Sequence, residues 1–138
     1  MKLFWLTLGV LSAAEPSLFY SKSFPNSTPA YVSIELARSG DIVYKEALDD
    51  EQPVKLKIEP EEAAEIFALA DKLEHFKRPL ESGLKVAFMG EKTFRWVSEG
   101  APQEQKFNYS QDLDANKLQD WFERITRSEE HTSELQSR

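Results

Sequence analysis

The chain contains no cysteine. These residues therefore offer no disulfide, no thiolate nucleophile and no cysteine-ligated zinc or iron–sulfur centre. Histidine is nearly as scarce, at two in 138 residues, so a multi-histidine metal site has no material. Bases are outnumbered, 17 Lys and Arg against 24 Asp and Glu, for a net charge of -7. Nucleic acid and anionic membranes both need a basic patch, and this balance argues against either partner. The apolar run at residues 3–11 falls well short of the roughly 20 residues that span a bilayer. None of the five glycines lies in a phosphate-binding loop or a serine nucleophile elbow.

What is present begins at the two ends. Met1 and Lys2 precede the apolar run, and Ser12, Ala13 and Ala14 follow it. Charge, apolar stretch and small residues in that order predict a signal peptide over 1–14, cut after Ala14, with the mature chain exported to the periplasm or beyond. No stable membrane anchor is expected to remain after cleavage. At the other end, residues 127–138 read RSEEHTSELQSR. That string resembles the translation of a short-read sequencing adapter. The natural chain is then expected to depart from this one near Thr126 and to continue beyond it. Removing both segments leaves residues 15–126 still at -7, with His75 as their one histidine. About 110 residues suffice for a single buried core.

Residues 15–29 are rich in Ser, Pro and Asn and read as an extended lead-in. Val32, Ile34 and Leu36 then alternate with polar neighbours, which is strand periodicity. Residues 38–41 supply a turn, and Ile42, Val43 and Tyr44 return as the second arm of a hairpin. Val54, Leu56 and Ile58 predict a third strand. Pro60 suits the first turn of a helix, and Ala63, Ile66, Phe67, Ala70, Leu73 and Phe76 form its apolar stripe. Pro79 is its expected stop. The order then recurs. Leu84, Val86 and Phe88 alternate, followed by Phe94 and Trp96, then Phe107 and Tyr109. Asp114 is placed as the cap of a second helix, with Leu113 and Leu118 as a hydrophobic staple. Leu118, Trp121, Phe122 and Ile125 give that helix its stripe. The predicted fold class is α+β, an antiparallel sheet in βββα-βββα order with both helices packed on one face. It occupies one domain, residues 30–126.

No catalytic residue, cofactor or metal ligand is assigned. Asp71 and His75 stand four apart on a helix, the spacing of an ordinary surface pair. Asp49, Asp50 and Glu51 lack the ligand spacing and central glycine of a calcium loop. Lys72, Lys77 and Arg78 suit the negative end of a helix better than a phosphate. Phe94, Trp96, Phe107 and Tyr109 are either a platform for sugar or peptide or, as their strand spacing suggests, core. Asn26-Ser27-Thr28 and Asn108-Tyr109-Ser110 match glycosylation acceptors.

The runs SGDIVYKEA, LADKLEHFKRPLESGLKVA and KFNYSQDLDANKLQDWFERI resemble small exported bacterial proteins of the domain-of-unknown-function type. The resemblance implies export and an α+β fold, and carries no site. The expected function is a non-catalytic domain of the bacterial envelope or secreted fraction that binds a protein or small-molecule partner. The alternatives are a small carboxylate-dependent hydrolase, or the N-terminal module of a longer protein.

Overall fold

The computed structural model describes residues 15–136, with side chains to residue 128. The expected signal peptide lies outside the described residues. Six strands form one antiparallel sheet: β1 (Ser17–Ser23), β2 (Tyr31–Ala37), β3 (Asp41–Lys45), β4 (Val54–Lys57), β5 (Glu91–Val97) and β6 (Gln103–Phe107). Helix α1 (Pro60–Lys72) follows β4, and α2 (Leu113–Gln136) follows β6. The sheet order is β4-β3-β2-β1-β5-β6. The architecture is α+β, but the element order is four strands, helix, two strands, helix.

Two strand expectations are corrected. Residues 15–29 were expected to be a lead-in, yet they contain β1, which pairs with both β2 and β5 at the middle of the sheet. Leu84, Val86 and Phe88 were expected to form a strand, yet they form none and are 41–55% exposed. The stretch around them is tied instead to the chain leaving β6. Asn108 Oδ1 accepts from the Met89 amide (2.6 Å), and Asn108 Nδ2 donates to the Ala87 carbonyl (3.0 Å). With no strand beside them, alternating residues have nothing to build a ladder against.

Strand alternation puts Leu18, Tyr20, Ile34, Leu36, Ile42, Tyr44, Phe94 and Trp96 on one face, all buried. Both helices pack there. Phe67 of α1 meets Trp96 edge-on at 6.0 Å, and Phe122 of α2 stacks on Tyr20 at 4.8 Å. Gly40, at φ 99°, makes the β2–β3 turn, and its carbonyl accepts from the Ile58 amide just before α1. A side chain there would strike the Ile58 carbonyl.

Helix α1 starts at Pro60 as expected, with the Glu62 carboxylate accepting from the Glu59 amide at 3.1 Å. It stops at Lys72 rather than at Pro79. Glu74, His75 and Phe76 then adopt positive φ of 58°, 54° and 66°. Left-handed backbone costs a residue with a Cβ roughly 1–2 kcal/mol, so packing must hold this turn. Phe76 is buried, and the His75 ring stacks on Trp96 at 3.8 Å.

The cap of α2 is Asp112, not Asp114. Its Oδ1 accepts from the amides of Asp114 (2.8 Å) and Ala115 (3.2 Å). Leu113 is 75% exposed, so no staple forms. The helix also runs on through the adapter-like segment to Gln136, which contains neither Gly nor Pro to break it.

Candidate functional site

Each residue set singled out in the sequence has a place in the fold. His75 Nε2 and Asp71 Oδ1 lie 2.8 Å apart on the surface, and the stacking on Trp96 accounts for the imidazole's position. Asp50 folds back on its own loop, accepting from the amides of Gln52 (2.9 Å) and Glu46 (3.4 Å). Among the described residues, no three Asp, Glu, His or Cys side chains converge as a metal site would require. Arg78 turns towards Glu74 and Asp112 and donates to Asp112 Oδ2 at 2.6 Å. Lys72 and Lys77 stay exposed, and a second Arg78 nitrogen donates to the Lys72 carbonyl at 3.3 Å. Phe94, Trp96 and Phe107 are buried core, and Tyr109 is half-buried. The Asn108 amide is occupied by its two backbone partners. Asn26, at φ 73°, is exposed in the turn after β1.

Among the described residues, two carboxylates are shifted, both downwards. Glu81 is held below the usual range by amides, that of Asn108 foremost (2.7 Å). Burial pushes Asp112 up, but the Arg78 guanidinium and the two capping amides outweigh it and hold the carboxyl low. Both act as acceptors that fix loops. A general acid working near neutral pH needs the opposite shift.

The sheet face away from the helices carries a groove of about 440 Å³, lined by Phe19, Tyr31, Ser33, Thr93 and Arg95 among others. Of its three cations, Lys45, Arg95 and Lys106, one is engaged within the sheet. Arg95 donates to Glu104 at 2.6 Å, and its guanidinium lies 4.4 Å from the Phe19 ring centre.

The helix face holds a cavity that sequence reasoning missed. It is a half-open cleft of about 250 Å³, lined by Tyr20, Lys22 and Phe24 of β1 and its exit, by residues 27–30 and Val32, and by Glu123, Thr126 and Arg127 of α2. The chain between β1 and β2 bends through a cis Thr28–Pro29 bond. The Ser27 hydroxyl closes that bend, lying within 2.6 Å of the Phe24 carbonyl and 2.9 Å of the Pro29 carbonyl. Tyr20 is 1% exposed, and its hydroxyl has no hydrogen-bond partner among the described residues. Burial, and secondarily the Glu123 carboxylate, push its ionisation well above the usual tyrosine range, so the phenol stays protonated. Lys92 is also buried. Its ammonium donates to the Asn108 carbonyl at 2.5 Å, while burial and the Lys22 charge pull its pKa down. The other buried side-chain atom lacking a partner is Gln103 Oε1, on β6.

No protein-family model matches the chain, and no curated protein is significantly similar to it. Among the described residues, no helix is long and apolar enough to cross a membrane.

Proposed function

We propose that the chain is an exported bacterial domain that binds a protein partner and performs no chemistry on it. The observation that carries this reading is the surface formed by Leu84, Val86, Phe88 and Met89. These four large apolar side chains are 52%, 41%, 55% and 41% exposed within six consecutive residues. Isolated exposed apolar residues are ordinary, but a contiguous group of this kind marks an interaction surface. No strand pairs with this stretch, but its Leu84, Val86 and Met89 amides and its Ala87 carbonyl already have partners, so recognition falls to the exposed side chains. Glu81 and Glu91 flank the stretch, and the whole chain carries -7. The occupant this favours is an extended apolar segment of a basic partner protein.

A short peptide alternating lysine and leucine is the matching probe, and one alternating glutamate and leucine is its control. Amide chemical shifts should move at residues 83–90 with the lysine peptide. The double variant Leu84→Ser/Phe88→Ser should weaken that binding ~10-fold or more, since burying each large apolar side chain is worth about 1.5–3 kcal/mol. Equal binding of both peptides, or shifts confined to another face, would refute the assignment. So would sedimentation showing that the patch is covered by a second copy of the chain. Export is checked separately, by N-terminal sequencing of secreted material; a chain still beginning at Met1 would overturn it.

The hydrolase alternative finds less support, because both shifted carboxylates are acceptors in loop clamps. The reading of residues 127–138 as non-native, and of the domain as a module of a longer protein, is tested by re-amplifying the gene. Those codons in genomic DNA would end it.

A further inference from the structure

We propose that the cavity between β1, the 24–30 turn and α2 is a binding site for a small monocarboxylate with an apolar body, of about the size of octanoate. The argument begins with the hydrogen-bonding inventory of its wall. Buried hydroxyls are almost always partnered, yet the Tyr20 hydroxyl is not. The ring cannot turn away to find water. It is fixed by stacking on Phe122 with planes 3° apart, and by Phe94 at 5.8 Å.

Lys22 lies two residues along the same strand, on the same face. Its Nζ is 3.9 Å from Glu123 Oε2, which is too long for a hydrogen bond. Its other contact is with the Phe24 ring, 5.8 Å from the ring centre. Glu123 has a closer partner, accepting from Gln119 Nε2 at 3.1 Å. The Ser27 and Thr126 hydroxyls are both turned to backbone carbonyls. The wall therefore sets three donors, the Tyr20 phenol, the Lys22 ammonium and the exposed Arg127 guanidinium, against one carboxylate, Glu123. Lys92, buried nearby, adds a further positive charge. A carboxylate supplies two acceptor oxygens and the negative charge, and it replaces the loose Lys22–Glu123 contact. Both of those side chains are about a third exposed (30% and 34%), so their separation is the rearrangement that uncovers the phenol.

Apart from Thr28, the rest of the wall is apolar: Phe24, Pro29, Ala30 and Val32. An apolar cavity of roughly 150 Å³ accepts benzene. By the same measure, 250 Å³ accepts roughly ten non-hydrogen atoms, which is the size of an eight-carbon monocarboxylate.

The test is calorimetric titration of the full chain with octanoate, octan-1-ol and octylamine. Octanoate should bind, octanol should bind more weakly and octylamine should not bind. Tyr20→Phe and Lys22→Gln should each weaken octanoate by ~10-fold or more, the usual loss for a hydrogen bond to a charged group. Unliganded Tyr20→Phe should melt no lower than the parent, because it removes only an unpartnered hydroxyl. A melting temperature that falls would show the hydroxyl bonded to an internal water, and would overturn the proposal. Octylamine binding as well as octanoate would overturn it too, by making Glu123 the recognition group. If Tyr20→Phe does not fold, Lys22→Gln decides alone: unchanged octanoate affinity refutes the site.

Discussion

Asp112 joins two jobs that substitution can separate. Its Oδ1 caps α2 through the amides of Asp114 and Ala115, while its Oδ2 accepts from Arg78 at 2.6 Å. Arg78 lies just beyond the left-handed turn, so the pair ties the exit of α1 to the start of α2. Asn caps a helix about as well as Asp, whereas Ala does not. Asp112→Ala should lose both jobs: about 1 kcal/mol for the cap and up to about 1 kcal/mol for an ion pair whose Arg78 side chain is 38% exposed. Asp112→Asn should lose only the ion pair. For a domain of this size each kcal/mol moves the melting temperature by roughly 4 °C. Expected drops at pH 7 are therefore about 8 °C for Asp112→Ala and at most about 4 °C for Asp112→Asn. The folded-state pKa of Asp112 is depressed. Its stabilisation is thus fully present above the unfolded value of about 3.9 and is lost as pH falls through the lower folded value. The gap between parent and Asp112→Asn should close below pH ~4. Thermal denaturation by circular dichroism across that range is the assay. Equal losses in the two variants, or a gap that persists in acid, would refute the division into cap and charge.

Two further substitutions test backbone geometry. Gly40→Ala should destabilise by roughly 2–4 kcal/mol, because positive φ and contact with the Ile58 carbonyl both oppose a Cβ; a denaturant midpoint within error of the parent would defeat this. Glu74→Gly should stabilise by about 0.5–1 kcal/mol, since relief of the left-handed penalty exceeds the entropy glycine adds to the unfolded chain and the exposed Arg78 contact is worth little. A lower urea midpoint would show that the turn is not strained.

The helices and the β2–β3 hairpin were legible because their patterns are strong and local. The stripe on α1 and the alternation in β2 each fix a buried face without reference to distant residues. What was illegible depends on partners far along the chain. Leu84, Val86 and Phe88 alternate as well as β2 does, but Asn108 and Glu81 anchor that stretch where no strand adjoins it. Helix α1 ends without a glycine or proline, because seating Phe76 in the core and His75 on Trp96 outweighs the local preference for another turn of helix. The α2 cap fell on Asp112 rather than Asp114, a two-residue displacement within a run offering both.

A second error with functional weight concerns β1. Its sequence, SLFYSKS, places Leu18 and Tyr20 on the helix face, with three serines and Phe19 opposite. It reads as an extended lead-in because residues 15–29 are rich in Ser, Pro and Asn. Here the other face is covered by neighbours equally small, with Ser21 opposite Ser33 on one side and Thr93 on the other. Ser33 and Thr93 are each 5% exposed, so the strands themselves exclude water without bulky side chains. Tyr20 and Lys22 enter the cavity wall from that same strand, and Phe24 from the turn it leads into. The strand and the candidate site were therefore missed for one reason. A segment low in hydrophobicity can still be central when its neighbours supply the burial, and a polar atom carried in on such a strand is the kind most easily left without a partner.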